Sequence, residues 1–240
     1  DAVALAIDTP VGVVFHTGDF KIDQTPIEGD PMDLARIAEL GKKGILLLMS
    51  DSTNVERPGY TMSERVVGDT FDTIFRGAKS RIIVASFSSN IHRIQQVVNS
   101  AVKYGRKVAL CGRSMVNVAT AAIRLGYLNF PEDTLIDIDR IKRYKPEELV
   151  IITTGSQGEP MSALSRIAAS THKKVEISEG DLVIISASPI PGNEKMIYNV
   201  INELFKKGAE VVYDDLIDIH VLGHARQEEL KLMHRLTRPK

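Results

Sequence analysis

The 240 residues carry 30 lysines and arginines against 31 acidic residues, with 43% hydrophobic side chains, so the chain holds a real core in one large domain or two modest ones. A formal net charge of −1 excludes a broad basic field, and any nucleic-acid contact must come from a local patch or a few phosphate contacts. The single cysteine, Cys111, excludes an internal disulfide and a Cys-rich zinc site and fits a reducing cytoplasm, while the absence of a long apolar run or a signal peptide argues against a membrane.

The chain opens at Asp1 as though in mid-strand, which suggests a piece of a longer protein. Residues 3–7 and 11–16 read as two β runs joined by Asp8-Thr9-Pro10, a hairpin. The second run ends in His16-Thr17-Gly18-Asp19-Phe20-Lys21, with His16 expected to pack within the strand. A helix over roughly 31–40 precedes a strand over 44–49 that stops at Ser50-Asp51-Ser52-Thr53-Asn54. A loop with Pro58 and Gly59 leads to a helix near 63–77.

From there strands and helices alternate. Strand 81–85 is followed by Ser86-Phe87-Ser88-Ser89-Asn90 and a helix to about 104. Strand 107–110 is followed by Cys111-Gly112-Arg113-Ser114 and a helix to about 125. Strand 149–152 runs into Thr153-Thr154-Gly155-Ser156-Gln157-Gly158-Glu159-Pro160 and a helix to about 170. Strand 181–185 runs into residues 186–194 and a helix to about 207, and 210–213 is a further strand. Continuous apolar strands alternating with helices predict a parallel sheet covered on both faces, in a doubly wound α/β layer.

In such sheets ligands gather at the carboxyl ends of strands. Here those ends are rich in Gly, Ser, Thr and Asn, which allow close backbone approach and favour anions. In Ser86–Asn90, Ser89 or Asn90 is a natural N-cap and Phe87 can stack on a base; ordinary capping needs the same residues. Asp19 and Asp51 each end an apolar strand, a place suited to metal binding or acid–base work and equally to a turn. His220-Val221-Leu222-Gly223-His224 sets two histidines four apart in what reads as a strand-to-helix loop, open between a ligand pair and a structural turn. His172 is expected to sit exposed beside Lys173 and Lys174. P-loop, dinucleotide, zincin and nucleophile-elbow motifs are all absent.

Five segments, taken in order, resemble the ribonuclease J branch of the β-CASP metallo-β-lactamase family: His16–Lys21, Ser50–Asn54, Ser86-Phe87-Ser88-Ser89-Asn90-Ile91-His92-Arg93, Thr154–Pro160 and His220-Val221-Leu222-Gly223-His224-Ala225. The resemblance implies a β-CASP domain over 57–208 inserted into a partial metallo-β-lactamase domain, of αββα type, formed by 1–56 and a return segment 209–240. It implies that Asp19 bridges metal, that Asp51 sits behind the metal site, and that His224 contacts the scissile phosphate or protonates the leaving group. Ser86, Phe87, Ser88, Ser89 and Asn90, with His220, Val221, Leu222, Gly223, His224 and Ala225, correspond to the loops that hold substrate phosphates.

The implied reaction is RNA hydrolysis, as 5′→3′ exonuclease and as endonuclease, with two zinc ions per complete site, or manganese or magnesium in their place. The implied substrate is single-stranded, 5′-monophosphorylated RNA, and the implied whole enzyme is a cytoplasmic homo-oligomer. The family's H-x-H-x-D-H motif does not occur in these residues, and Leu222 stands where a small residue is expected. With too few ligands for a catalytic zinc, the chain alone is expected to be inactive. The competing expectation is a non-catalytic β-CASP module that binds RNA or a protein partner.

Overall fold

Leu5–Thr9 (β1) pairs antiparallel with Gly12–His16 (β2), and β2 pairs in parallel with Ile45–Met49 (β3), giving a three-stranded sheet in the order β1-β2-β3. The computed structural model describes residues 3–213, 219, 221 and 223–240, so His220 and Leu222 lie outside the described residues. The crossover from β2 to β3 contains the helix Leu34–Lys43 (α1). It starts later than the sequence suggested because the Asp33 carboxylate accepts the Arg36 N–H at 2.8 Å and fixes the N-cap there. Gly44, at φ 100°, ends it by returning its N–H to Leu40 and Gly41 carbonyls.

A last helix, Gln227–Thr237 (α7), lies against α1. A Cβ at Gly41 would stand 1.9 Å from the Leu236 carbonyl oxygen, so that contact requires glycine. Phe15, Phe20, Ile22, Ile37, Ile45, Ala225 and Met233 form the core of this unit. Each large side chain so buried contributes ~1.5–3 kcal/mol.

The second unit is a six-stranded parallel sheet in the order β6-β5-β7-β4-β8-β9. Its strands are Ile82–Ala85 (β4), Lys107–Cys111 (β5), Leu135–Ile136 (β6), Leu149–Thr153 (β7), Leu182–Ile185 (β8) and Glu210–Tyr213 (β9). Its helices are Arg65–Gly77 (α2), Ile91–Lys103 (α3), Arg113–Arg124 (α4), Ala163–Ala168 (α5) and Glu194–Lys206 (α6). From central β4 the chain runs outward through β5 and β6, returns through β7, then crosses to β8 and β9. That reversal makes the layer doubly wound, as expected, and β4, β7 and β8 are buried throughout because both faces are covered. Among the described residues no helix is long and apolar enough to cross a membrane.

The compact units are Asp1–Arg65 with Val221–Lys240, and Val66–His220, so both boundaries fall later than the sequence-based limits of 57 and 209. Hydrogen bonds explain the first difference: Gln227 N–H donates to the Arg57 carbonyl at 3.0 Å and Thr61 N–H to the Glu229 carboxylate at 2.7 Å, tying the loop before α2 to α7. Strand pairing explains the second, because β9 continues the six-stranded sheet through β8 instead of joining the return segment.

Candidate functional site

Parallel pairing of β2 and β3 carries two carboxylates out on neighbouring strand ends. Thr17 N–H donates to the Met49 carbonyl at 3.0 Å, extending the pairing past β2, and the Thr17 hydroxyl accepts the Asp51 N–H at 3.0 Å. Gly18, at φ 61°, turns the chain there; a Cβ on it would meet the Val3 carbonyl at 2.7 Å. Asp19 follows, exposed. Asp51 turns inward: Thr53 donates to its Oδ1 from the backbone at 3.0 Å and from the hydroxyl at 2.8 Å.

The third group arrives from the far end of the chain. The His224 carbonyl accepts from Asn54 Nδ2 at 3.3 Å and from the Thr61 hydroxyl at 2.9 Å. Its Nδ1 lies 2.9 Å from Asp51 Oδ2. Asp19, Asp51 and His224 each present one potential ligand atom, all within 4.8 Å of one another. Burial alone would raise the Asp51 carboxyl, but the Thr53 N–H, His224 and the Thr53 hydroxyl outweigh it and hold it below its ordinary value. An ionised carboxylate only accepts, so Nδ1 carries the proton of this bond and the ring's other nitrogen, Nε2, is not engaged by Asp51. In the same loop Val221 and Ala225 are buried and Gly223 is exposed.

The strand ends of the second unit mix scaffold with surface. Asn90 is the N-cap of α3, its Oδ1 accepting the Arg93 N–H at 3.1 Å. Ser86 is buried, its N–H donating to the Thr153 carbonyl at 3.1 Å; Phe87 and Ser88 are half-buried and Ser89 is exposed. The Gly155–Gly158 turn is a clamp: buried Gln157 donates to the Ser188 carbonyl at 3.0 Å and accepts the Ile190 N–H at 2.8 Å. A cleft of about 1050 Å³ opens at the ends of β5 and β7, with Arg113, Arg166 and Lys174 in its lining. Lys174 is paired with Asp139 at 2.8 Å.

Two histidines depart from expectation. His16 is exposed at the end of β2, where its Nδ1 accepts the Gly18 N–H at 2.9 Å. His172 is half-buried: its Nδ1 accepts the N–H groups of Lys174 and Val175 at 3.3 and 3.2 Å, and its Nε2 lies 3.4 Å from the Cys111 thiol. Burial, then the neighbouring Arg166 and Lys174 charges, push its pKa down, so it stays neutral and pins its loop.

Sequence reasoning named Thr17 and Asn54 within longer segments but gave them no role, and missed Thr61 and Glu229; all four hold the site from behind. It also missed fully buried Arg93, which donates through one guanidinium nitrogen to the Ser186 hydroxyl at 2.7 Å and the Ile219 carbonyl at 3.1 Å. An arginine on the apolar face of α3, beside Ile94 and Val97, was the available signal for it.

Residues 79–204, just over half of the chain, match the family described as ribonuclease J, beta-CASP domain. Over all 240 residues the chain is 50% identical to ribonuclease J of Helicobacter pylori, of which it covers 35%. It is 47% identical to that of Synechocystis, covering 38%, and 48% identical to that of Thermus thermophilus, covering 42%. The chain thus spans well under half the length of these relatives.

Proposed function

We propose that this chain, which belongs to the ribonuclease J family, supplies the β-CASP layer and part of the metal-binding domain of a metal-dependent ribonuclease. The observation that carries this reading is the convergence of Asp19, Asp51 and His224 within 4.8 Å. Two carboxylates and an imidazole suit zinc or manganese. Asp51 is already committed to Thr53 and His224, which leaves exposed Asp19 as the carboxylate that would hold metal. Asp19 thus fits one ligand position of such a site, with His224 kept for the phosphate; a two-ion site needs more ligands than these residues offer, so the 240 residues alone are inactive. A bound metal pair would lower the pKa of the attacking water and stabilise the oxygens of an in-line displacement.

The chain's own residues then act as follows. Asp51 holds the Nδ1 proton of His224 and orients the ring; when Nε2 also carries a proton, it donates to the scissile phosphate or gives that proton to the leaving oxygen. In the second unit Ser88 and Ser89 contact phosphates of a single-stranded, 5′-monophosphorylated RNA, cut from the 5′ end or internally, and in the first unit the loop around Gly223 has the same kind of role. The whole enzyme works as a cytoplasmic homo-oligomer. The binding-module alternative leaves the three converging groups without a purpose.

The test is cleavage of matched RNAs bearing 5′-monophosphate or 5′-triphosphate by the full-length protein, with and without chelator. Chelator-sensitive cleavage that favours the monophosphate is the expected result. Chelator-resistant cleavage, or none, removes the reading.

A further inference from the structure

The proposed chemistry uses His224 but gives no role to Glu229, which is 0% exposed. As the third residue of α7 it completes a capping box by accepting the Arg226 N–H at 2.8 Å. A cap needs nothing more, yet the carboxylate takes three further donors from distant segments. Ile22 N–H reaches Oε1 at 2.7 Å, and the Thr61 N–H and hydroxyl both reach Oε2 at 2.7 Å. A carboxylate withdrawn from water persists only when its oxygens are satisfied, and these four donors satisfy it.

Thr61 is the joint between that buried group and the site. Its hydroxyl lies 2.7 Å from Glu229 Oε2 and 2.9 Å from the His224 carbonyl oxygen. The residue before His224 is Gly223, and among the described residues beyond its chain neighbours none reaches within 4 Å of the position its Cβ would take. Buried Val221 and Ala225 anchor the loop on either side, and between them the hydrogen bonds to the His224 carbonyl fix the backbone that carries the imidazole. The imidazole of His224 is fixed by Asp51 and its backbone by Thr61 and Asn54.

We propose that Thr61, locked by the buried Glu229 carboxylate, is the positioning residue for His224. This rests on the reading of His224 as a working group of the ribonuclease. Thr61 touches neither substrate nor metal; it acts through the placement of the imidazole. A misplacement of about 1 Å at such a group costs ~10²-fold in rate, and the loss falls mainly on kcat because the contacts to the rest of the RNA are untouched.

Thr61→Val removes the hydroxyl and keeps the N–H that bonds Glu229; Thr61→Ser keeps both. In the full-length protein Thr61→Val should lower kcat by ~10–10²-fold with KM unchanged, and Thr61→Ser should recover most of the loss. Glu229→Gln, which turns an N–H₂ toward donors, should repeat the kcat loss. A merely structural Thr61 would lower the melting temperature of the valine variant and leave its kcat alone at temperatures where it stays folded. Crystal structures of the variants give a readout that does not need activity: in Thr61→Val the His224–Asp51 bond should lengthen, and in Thr61→Ser it should stay. A valine variant with wild-type kcat, or with His224 unmoved, overturns the proposal. If the wild-type protein cleaves no RNA, the ribonuclease reading fails, and the His224–Asp51 distance in Thr61→Val still decides what Thr61 does.

Discussion

His224 Nδ1 and Asp51 Oδ2 lie 2.9 Å apart although 173 positions separate the two residues in the chain. Exposed Asp19 stands beside the pair, and the three groups should fail differently. Asp19→Ala in the full-length protein should lose metal together with activity. His224→Ala should keep its metal and lose ~10²–10⁴-fold in rate, the usual cost of removing a general acid or a charge-stabilising donor. Metal content by mass spectrometry beside RNA cleavage separates the two outcomes, and a fully active His224→Ala enzyme contradicts the assignment.

The ligand count makes a second forecast. Of the three candidate groups, two already bond each other, and a catalytic zinc takes about three protein ligands. Calorimetric titration of the chelator-stripped 240-residue chain with zinc should therefore give weak uptake. A stoichiometric pair of tight sites would show the site to be complete.

Capping and substrate contact can be told apart at neighbouring positions. Asn90→Ala loses the bond to the Arg93 N–H and should cost ~0.5–2 kcal/mol in denaturant unfolding, with no substrate preference. Ser88 makes no cap bond to α3, so Ser88→Ala should leave melting temperature and metal content alone. It should weaken only RNAs that need that phosphate contact, and an unchanged KM on every substrate would remove Ser88 from the site.

Salt dependence reads the number of phosphates engaged. The net charge is −1, and the cleft at the ends of β5 and β7 offers Arg113, Arg166 and the paired Lys174. Log affinity for single-stranded RNA should fall shallowly with log salt, at about −0.7 per phosphate neutralised. A slope corresponding to ~6–10 contacts would demand a broad basic groove.

Asp72 sets an acid limb for the second unit. It accepts from Lys103 Nζ at 2.6 Å, Tyr104 Oη at 2.9 Å and Arg76 at 2.7 Å, and the Lys103 bond leads in holding its carboxyl at about 2. A carboxyl depressed in the folded state stabilises fully above its ordinary pKa of about 4 and loses that contribution as pH falls toward the folded value. Unfolding of wild type and Asp72→Asn should therefore differ at neutral pH and converge near pH 2, by a small amount because the group is solvent-screened. Parallel curves down to that pH would show that Asp72 is not linked to folding.

The sequence made the central sheet plain because Ile82–Ala85, Leu149–Thr153 and Leu182–Ile185 are apolar throughout and fit only a layer covered on both faces. Leu135–Ile136 escaped notice because two residues carry no period. Asp19 and Asp51 were legible as carboxylates at strand ends, but their meeting with His224 depends on where the chain returns, which spacing does not encode. His172 was misjudged for the same reason: its lysine neighbours in sequence suggested solvent, while Cys111, 61 positions away, takes it partly inside. Thr61 and Glu229 look like ordinary loop and helix residues until their partners, 163 to 207 positions distant, are in place.

The clasp at Glu229 also sets a schedule for folding. Its bond from Ile22 spans 207 positions, and Phe15, Phe20 and Ile45 share a core with Met233. At a synthesis rate of ~5–20 residues per second, the first strands wait roughly 10–40 s for the helix that covers them. The second unit, continuous from Val66 to His220, is complete on the ribosome before that helix emerges. Nascent chains halted between residue 220 and α7 should thus carry a protease-resistant second unit and a protease-sensitive amino-terminal segment, vulnerable to chaperone capture or aggregation until the last turns of α7 arrive.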